Sequence, residues 1–404
     1  MSNEISQKST AGRTVDYGNG TYSMYFYAGW TGDAFINVTL YVTREAVLFY
    51  NNFRHREKRI LWSAVFSDGN VSEKSNCTTT NGGHWNNKCS YGNIWSLGKT
   101  VLLCEKPESL ACGTLASTSQ DIQNLEMLAE AAVTIVDKEY LFEGNYRDAT
   151  FSACPIKVQI EDSRTELKLP TCGPDLPVAM TSGYWLNNIT FVPMMCKSQK
   201  WTPQLRLNCT SDKSFFFIGD STLLQLNRVF NRKDIMGEIV KTVCKFFGLR
   251  TGFPVQKVEE VAFESDFIDK INVSLCRSYT PVVVFNFGFH YASWSVRAYI
   301  DRIYRTKFSV IRLFERCPNS IVIIKLAHPR DNNSVTQSVH SGNYLFYDMN
   351  RMLRRVFGGI GVRFLDLWDM VLSHPDKNTV HVAAHIIQQQ FDMLFSYICP
   401  SMVK

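Results

Sequence analysis

The chain has 404 residues, of which 45% are hydrophobic and 20% charged, and its net charge is +6. That length allows two or three domains with cores of their own, and the composition is ordinary for a globular protein. The basic residues are scattered and no run of 18 apolar residues occurs, which excludes a transmembrane helix and any Lys/Arg stripe suited to nucleic acid. The one short basic cluster, Arg54, Arg56, Lys58 and Arg59, reads as a solvated loop or strand edge.

From the N-terminus, residues 1–13 are polar and expected to be disordered. They have no charged n-region followed by an apolar core, as a signal peptide would. Residues 14–112 are expected to form a β domain. The aromatic and β-branched runs at Thr21–Tyr27, Ala34–Val42 and Arg59–Phe66 are separated by Asn19-Gly20, Thr31-Gly32-Asp33 and Asp68-Gly69 turns, which is sandwich patterning. Within it, residues 76–112 hold four cysteines among Gly, Asn and Ser and read as a stapled, loop-rich extension. Residues 113–200 read as an irregular connector held by disulfides, with one candidate helix at Ile122–Ala132.

From about residue 201 the pattern becomes α/β. Buried strands are expected at Phe215–Ile218, Val282–Phe287, Ile321–Leu326 and Val362–Leu367. Helices are expected at Leu223–Phe247, Trp294–Phe314, Tyr344–Phe357 and Val382–Ile398. This alternation predicts a doubly wound parallel sheet with helices on both faces.

The twelve cysteines include no C-x-x-C pair, so a zinc ribbon or thioredoxin-type site is not expected, and no metal site is. Their even number fits disulfides; reduced core residues are the other reading. N-x-S/T sequons occur at Asn19, Asn37, Asn70, Asn76, Asn188, Asn208, Asn272 and Asn332, which points to a glycosylated protein of the secretory pathway. Either the chain is cytosolic and the sequons are accidental, or its true start is missing; the cysteines and sequons favour the second.

The candidate site gathers at the carboxyl ends of the strands, where doubly wound sheets place functional groups. Phe215–Ile218 runs into Gly219-Asp220-Ser221 and then a helix. A serine there is a candidate nucleophile whose helix N-terminus can hold an oxyanion. Asp220 is expected to cap the helix. Asn286 and Gly288 follow the next strand as oxyanion candidates, and His290 beside them is a candidate for touching substrate. A serine needs a base. His381, in the loop before the last helix, is the candidate, with Asp376 or Asn378 to orient its ring. His328, His374 and His385 read as surface or helix residues.

Phe215–Thr222, Asn286–His290 and the loop ending in His381 together resemble the PC-esterase blocks of the SGNH/GDSL-like superfamily. Gly12-Arg-Thr-Val-Asp-Tyr-Gly-Asn-Gly-Thr-Tyr, Trp30-Thr-Gly, Arg44-Glu-Ala-Val, Lys106-Pro, Ser182-Gly-Tyr-Trp and Phe391-Asp-Met-Leu-Phe-Ser-Tyr-Ile-Cys-Pro extend the match. They resemble the neurexophilin and PC-esterase domain (NXPE) family over nearly the whole chain. The resemblance implies a partial Ig-like, neurexophilin-type domain at 14–112 and an SGNH-like three-layer α/β/α esterase domain at 201–404. It implies residence in the Golgi lumen or outside the cell, with membrane association only through a missing N-terminal anchor. It implies O-acyl, most directly O-acetyl, chemistry on the hydroxyls of a glycan or glycoprotein. No bound cofactor is implied beyond an acyl donor such as acetyl-CoA.

Residue by residue, Ser221 matches the family nucleophile, its N–H with the Asn286–Gly288 turn matches the oxyanion region, and His381 matches the base. One departure stands out. The family pattern is Asp-x-x-His, and here it is Asn378-Thr-Val-His381. In a Ser-His-Asp triad that Asp-to-Asn change costs about 10⁴ in turnover, unless Asp376 shifts in. An inactive extracellular binding module on an esterase scaffold is the alternative function.

Overall fold

The computed structural model describes residues 1–404 apart from 28, 55–61, 79–84, 92–101, 121–148, 154, 160–168, 177–181, 233–243, 249–263, 293, 295, 332–333, 377–378 and 401–404. The helix expected at Ile122–Ala132 lies outside the described residues, as do Asn332, Asn378 and Cys154.

The N-terminal half is a set of antiparallel sheets. Strands β1 (Ser2–Asn3), β2 (Lys8–Thr10), β3 (Arg13–Asp16), β4 (Tyr22–Tyr25), β5 (Gly32–Ala34) and β6 (Asn37–Leu40) precede helix α1 (Arg44–Arg54). Strands β7 (Trp62–Ser67), β8 (Ser72–Thr78), β9 (Lys88–Tyr91), β10 (Leu102–Glu105), β11 (Leu115–Gln120), β12 (Ala149–Ser152), β13 (Ile156–Val158), β14 (Gly183–Leu186) and β15 (Thr190–Pro193) follow. They divide into five sheets, ordered β1-β2-β14-β15, β11-β7-β8-β10-β9, β3-β4, β5-β13 and β6-β12. Several expectations are corrected here. The polar N-terminus is not disordered, because β2 pairs with β14 in the register Ser9↔Trp185, a partner far along the chain. The all-β stretch contains α1, whose Ala46, Tyr50 and Phe53 recur at helical spacing and are buried against Val339 and Leu345. β11, assigned by composition to the connector, pairs with β7. The described strands are split among five antiparallel sheets.

The C-terminal half is built on one parallel sheet. Helix α2 (Pro203–Thr210) leads into β16 (Lys213–Gly219), α3 (Ser221–Phe230) and β17 (Cys244–Gly248). Then come α4 (Glu264–Asp269), α5 (Val273–Ser278), β18 (Thr280–Phe285), α6 (Val296–Arg316), β19 (Ile321–Lys325), α7 (Val335–Ser341), α8 (Asn343–Phe357), β20 (Arg363–Leu365), α9 (Trp368–Leu372) and α10 (Ala384–Ile398). The sheet order is β17-β16-β18-β19-β20, and every neighbouring pair is parallel. The sheet therefore starts at β16, takes one step to β17 and then grows the other way from β18. That reversal opens a crevice beyond the carboxyl ends of β16 and β18. The helix expected over Leu223–Phe247 is shorter than that: α3 ends at Phe230, and Cys244–Gly248 is the fifth strand, at the sheet edge.

Side chains alternate across a strand, and the core follows that rule. Phe216, Ile218, Val283, Phe285, Val322 and Ile324 face Tyr299, Ile303 and Leu313 of α6 and Phe346, Leu353 and Phe357 of α8. The same cluster continues into Ala64, Phe66 and Leu102 of the five-stranded antiparallel sheet. Phe215, Phe217, Val282, Val284 and Ile323 face the other way, toward Leu223 and Phe230 of α3 and Phe391, Leu394 and Phe395 of α10. Each Phe buried in this way contributes roughly 1.5–3 kcal/mol.

Five disulfides join described cysteines: Cys77–Cys104, Cys89–Cys112, Cys172–Cys196, Cys209–Cys399 and Cys276–Cys317. The first two staple the extension at 76–112, as its composition suggested. Cys209–Cys399 ties the end of α2 to the end of α10.

Candidate functional site

Ser221 is the first residue of α3, at the end of a strand that is buried along almost its whole length. Asp220 caps that helix as expected: its Oδ1 accepts the Thr222 N–H at 2.9 Å and the Thr222 hydroxyl at 2.7 Å. The turn before it must be glycine. A Cβ on Gly219 would sit 1.9 Å from Asn286 Oδ1, the atom that accepts the Asp220 N–H at 3.1 Å.

Asn286 departs from its expected role. Its Nδ2 donates to Asp220 Oδ1 at 2.8 Å and to Thr222 Oγ1 at 3.1 Å. Both amide hydrogens are thus spent on the Ser221 turn rather than turned to an oxyanion. Gly288 has φ −101°, and its carbonyl accepts the Tyr291 N–H. A Cβ there would lie 3.5 Å from Ala327 Cβ and 3.9 Å from Asp220 Oδ2. His290 is half-buried, and its Nδ1 has no hydrogen-bond partner.

Beneath this turn lies a residue that sequence reasoning missed. Lys325, the last residue of β19, is 1% exposed, and its Nζ is 3.4 Å from Thr222 Oγ1. Burial draws its pKa down to about 8, opposed by the Asp220 charge. Burial alone would push the Asp220 carboxyl up. The His290 charge, the Asn286 hydrogen bond, the Lys325 charge and the Thr222 hydroxyl together hold it below its usual range. The only signal for Lys325 was one charge at the end of the apolar run Ile321-Val-Ile-Ile.

The base candidate meets the candidate nucleophile directly. His381 Nε2 lies 2.7 Å from Ser221 Oγ, within reach for proton abstraction. His381 is exposed, and its loop is tied down at several points. Gln225 Nε2 donates to Val382 O at 3.3 Å, and Thr379 Oγ1 donates to His381 O at 2.5 Å. His328 Nε2 faces Thr379 O at 3.4 Å.

His328 is therefore not a surface residue. It is 1% exposed, its ring is 4.9 Å from that of Phe289, and burial, with the Lys325 charge adding to it, drives its pKa down to about 3. It is neutral, and the nitrogen that faces a carbonyl carries its proton.

Asp376 does not stand behind His381. Its N–H donates to His374 Nδ1 at 3.1 Å, and its Oδ2 is 3.8 Å from the same atom. Among the described residues no carboxylate lies within 4.0 Å of a His381 ring nitrogen, and Asn378 falls outside them.

His374 is also buried, against Trp185, whose ring centroid is 4.6 Å away. Its Nε2 lies 3.1 Å from Asn188 O and 2.9 Å from Nε2 of His385, a residue in the first turn of α10. His374, Asp376 and His385 have ligand atoms within 4.8 Å of one another. Burial pushes His374 down and keeps it neutral. With Nδ1 accepting from the Asp376 N–H, the proton sits on Nε2, which faces the Asn188 carbonyl.

The sequons at Asn19, Asn37, Asn70, Asn76, Asn208 and Asn272 are exposed, and Asn188 is half-buried. No described helix is long and apolar enough to cross a membrane.

Two family models match the chain. Residues 239–399 match "NXPE family member 4-like, C-terminal domain", and residues 5–133 match "Neurexophilin". The resemblance read from the sequence is therefore shown in both halves. These families, together with the five disulfides, suggest a secreted or lumenal protein. A solved structure described as a platelet activating factor from Streptococcus pneumonia is also similar, at 12% identity and a TM-score of 0.31. That likeness covers 50% of this chain and 89% of the other. The strand order above carries the α/β assignment; this likeness does not.

Proposed function

We propose that the protein is a secretory-pathway O-acyl, most directly O-acetyl, transferase or esterase acting on glycan hydroxyls through Ser221 and His381. The observation that carries this reading is the 2.7 Å contact between Ser221 Oγ and His381 Nε2 at the switch point of the parallel sheet. The NXPE match over residues 239–399 and an SGNH-like reading of the three-layer half support it.

His381 takes the Ser221 proton as Oγ attacks the acyl carbonyl of a donor such as acetyl-CoA. The tetrahedral oxyanion is held by the Ser221 N–H, with the Gly288 N–H as a second donor. Collapse expels the donor's leaving group, which takes the proton from His381. A glycan hydroxyl, or water, then gives its proton to His381 and attacks the acyl-serine, and His381 returns that proton to Oγ as Ser221 leaves. In this scheme Asn286 is a positioning residue that fixes the turn, and Asp220 with Lys325 supplies the charged floor beneath it.

A second reading, a binding protein on an esterase scaffold, is favoured by one observation: no described carboxylate lies within 4.0 Å of His381. Purified full-length protein assayed for acetyl transfer and for ester hydrolysis separates the two. Ser221→Ala is expected to lower turnover by at least about 10⁴ with binding of the acceptor retained. Turnover unchanged in Ser221→Ala would sink the mechanism.

A further inference from the structure

His374 and His385 stand at the two ends of the loop that carries His381. His374 follows α9, and His385 is in the first turn of α10. Their Nε2 atoms are 2.9 Å apart, and a third lone-pair atom, Asn188 O, lies 3.1 Å from His374 Nε2. Asn187 and Asn188 have φ of 53° and 55°, and that left-handed turn between β14 and β15 brings the carbonyl to the cluster. Asp376 adds a carboxylate, so that one ligand atom from each of the three side chains lies within 4.8 Å of the others.

Trp185, which has no exposed surface, walls the cluster on one side. Its ring meets both imidazoles edge-on, with centroids 4.6 Å from His374 and 6.2 Å from His385. Its Nε1 is committed to Met370 O at 2.8 Å. Asp376 is exposed and leaves the cluster open to solvent on its own side.

The cluster is rich in lone pairs and short of hydrogens. His374 Nε2 carries one hydrogen and faces two acceptors, Asn188 O and the lone pair that His385 Nε2 must then offer. A small cation can take the place of that shared hydrogen. Ligands on a tetrahedral zinc, with bonds of about 2.0–2.1 Å, stand about 3.3 Å apart, a few tenths of an ångström wider than these contacts. Two imidazoles with a carboxylate select zinc-like metals over magnesium and calcium, which take oxygen ligands.

We propose that His374, His385 and Asp376 form a site for a divalent transition cation of the zinc type, with Asn188 O beside it. Binding moves the His374 proton from Nε2 to Nδ1, and the Asp376 N–H that meets Nδ1 turns to water, so no net proton is released. The cation clips both ends of the His381 loop to the β14–β15 turn. It holds the ends of the loop rather than the reacting atoms, and the site stands whether or not Ser221 is a nucleophile.

The test is calorimetric titration of the metal-free full-length protein with zinc and, separately, with magnesium, followed by thermal unfolding of each mixture. Zinc is expected to bind with a Kd of about 10 μM or tighter, at least about tenfold more tightly than magnesium, and to raise Tm. His385→Gln and Asp376→Asn, both at positions open to solvent, are each expected to weaken zinc binding at least about tenfold and to shrink the rise in Tm. His381→Ala is expected to bind zinc as wild type does. No zinc binding, magnesium binding as tight as zinc, or wild-type zinc affinity in His385→Gln or Asp376→Asn overturns the proposal. Loss of zinc binding in His381→Ala also overturns it, by placing the metal at the candidate base instead.

Discussion

Ser221 and His381 meet at 2.7 Å from opposite surroundings. The serine stands on a floor where every group is buried and bonded: Gly219 against Asn286, Asn286 against Asp220 and Thr222, Thr222 near Lys325. The histidine stands on an exposed loop tied by a few single bonds, through Thr379, Val382 and His328. The contrast teaches that Ser221, the candidate nucleophile, is positioned by the fold, while His381, the candidate base, is positioned by tethers that can be cut one at a time.

The largest effect should come from the floor. Lys325 folds with its pKa drawn from 10.5 down to about 8. Between those values the unfolded chain binds more protons than the folded one, so stability rises with pH through that window. The full gain is on the order of 3 kcal/mol. Wild type minus Lys325→Met, followed by chemical denaturation from pH 7 to 10.5, should show that slope. Parallel curves would mean that the lysine is not buried in solution.

Cutting a tether should matter less to stability and more to turnover. His328→Asn removes the donor that reaches Thr379 and should lower kcat about tenfold with KM little changed, the worth of one hydrogen bond to a positioned group. His328→Gln keeps an amide nitrogen near the Nε2 position and should recover most of that loss. Equal losses in both would make His328 a packing residue only.

The smallest effect is expected at Asp376, which faces His374. Asp376→Asn should leave the initial rate of ester hydrolysis within about twofold, since exposed substitutions away from the reacting atoms change little. A fall of two orders of magnitude would show that this carboxylate swings behind His381 during turnover.

The parts legible in the sequence were those with strong local punctuation. Phe215–Ile218 stops at Gly219 and turns at Asp220, so strand, turn and helix cap could be read together. His381 was legible from its place before the last helix. β17 was not, because Cys244-Lys-Phe-Phe carries on the apolar pattern that opens with α3. The strands at Ser2–Asn3 and Lys8–Thr10 were missed because their pairing rests on main-chain bonds to Gly183–Leu186, which side-chain composition does not report. Lys325 and His328 were misread or missed for one reason: a charged or titratable residue at a strand end looks like an exit to solvent unless the neighbouring strand's turn is known to cover it.

The clasp at the C-terminus has a practical consequence for anyone making this protein. The Cys209–Cys399 bond closes a loop with a sequence separation of 190 residues, and α10, which it anchors, begins three residues after His381. Arg206 bonds Asp392 and Trp201 bonds Ser396 along the same seam, so α2 and α10 are cinched like a belt. Material produced in a reducing host would leave that belt unbuckled, with the His381 loop hanging from one end of it. An inactive preparation from such a host would then report on its oxidation state and say nothing of the chemistry of Ser221.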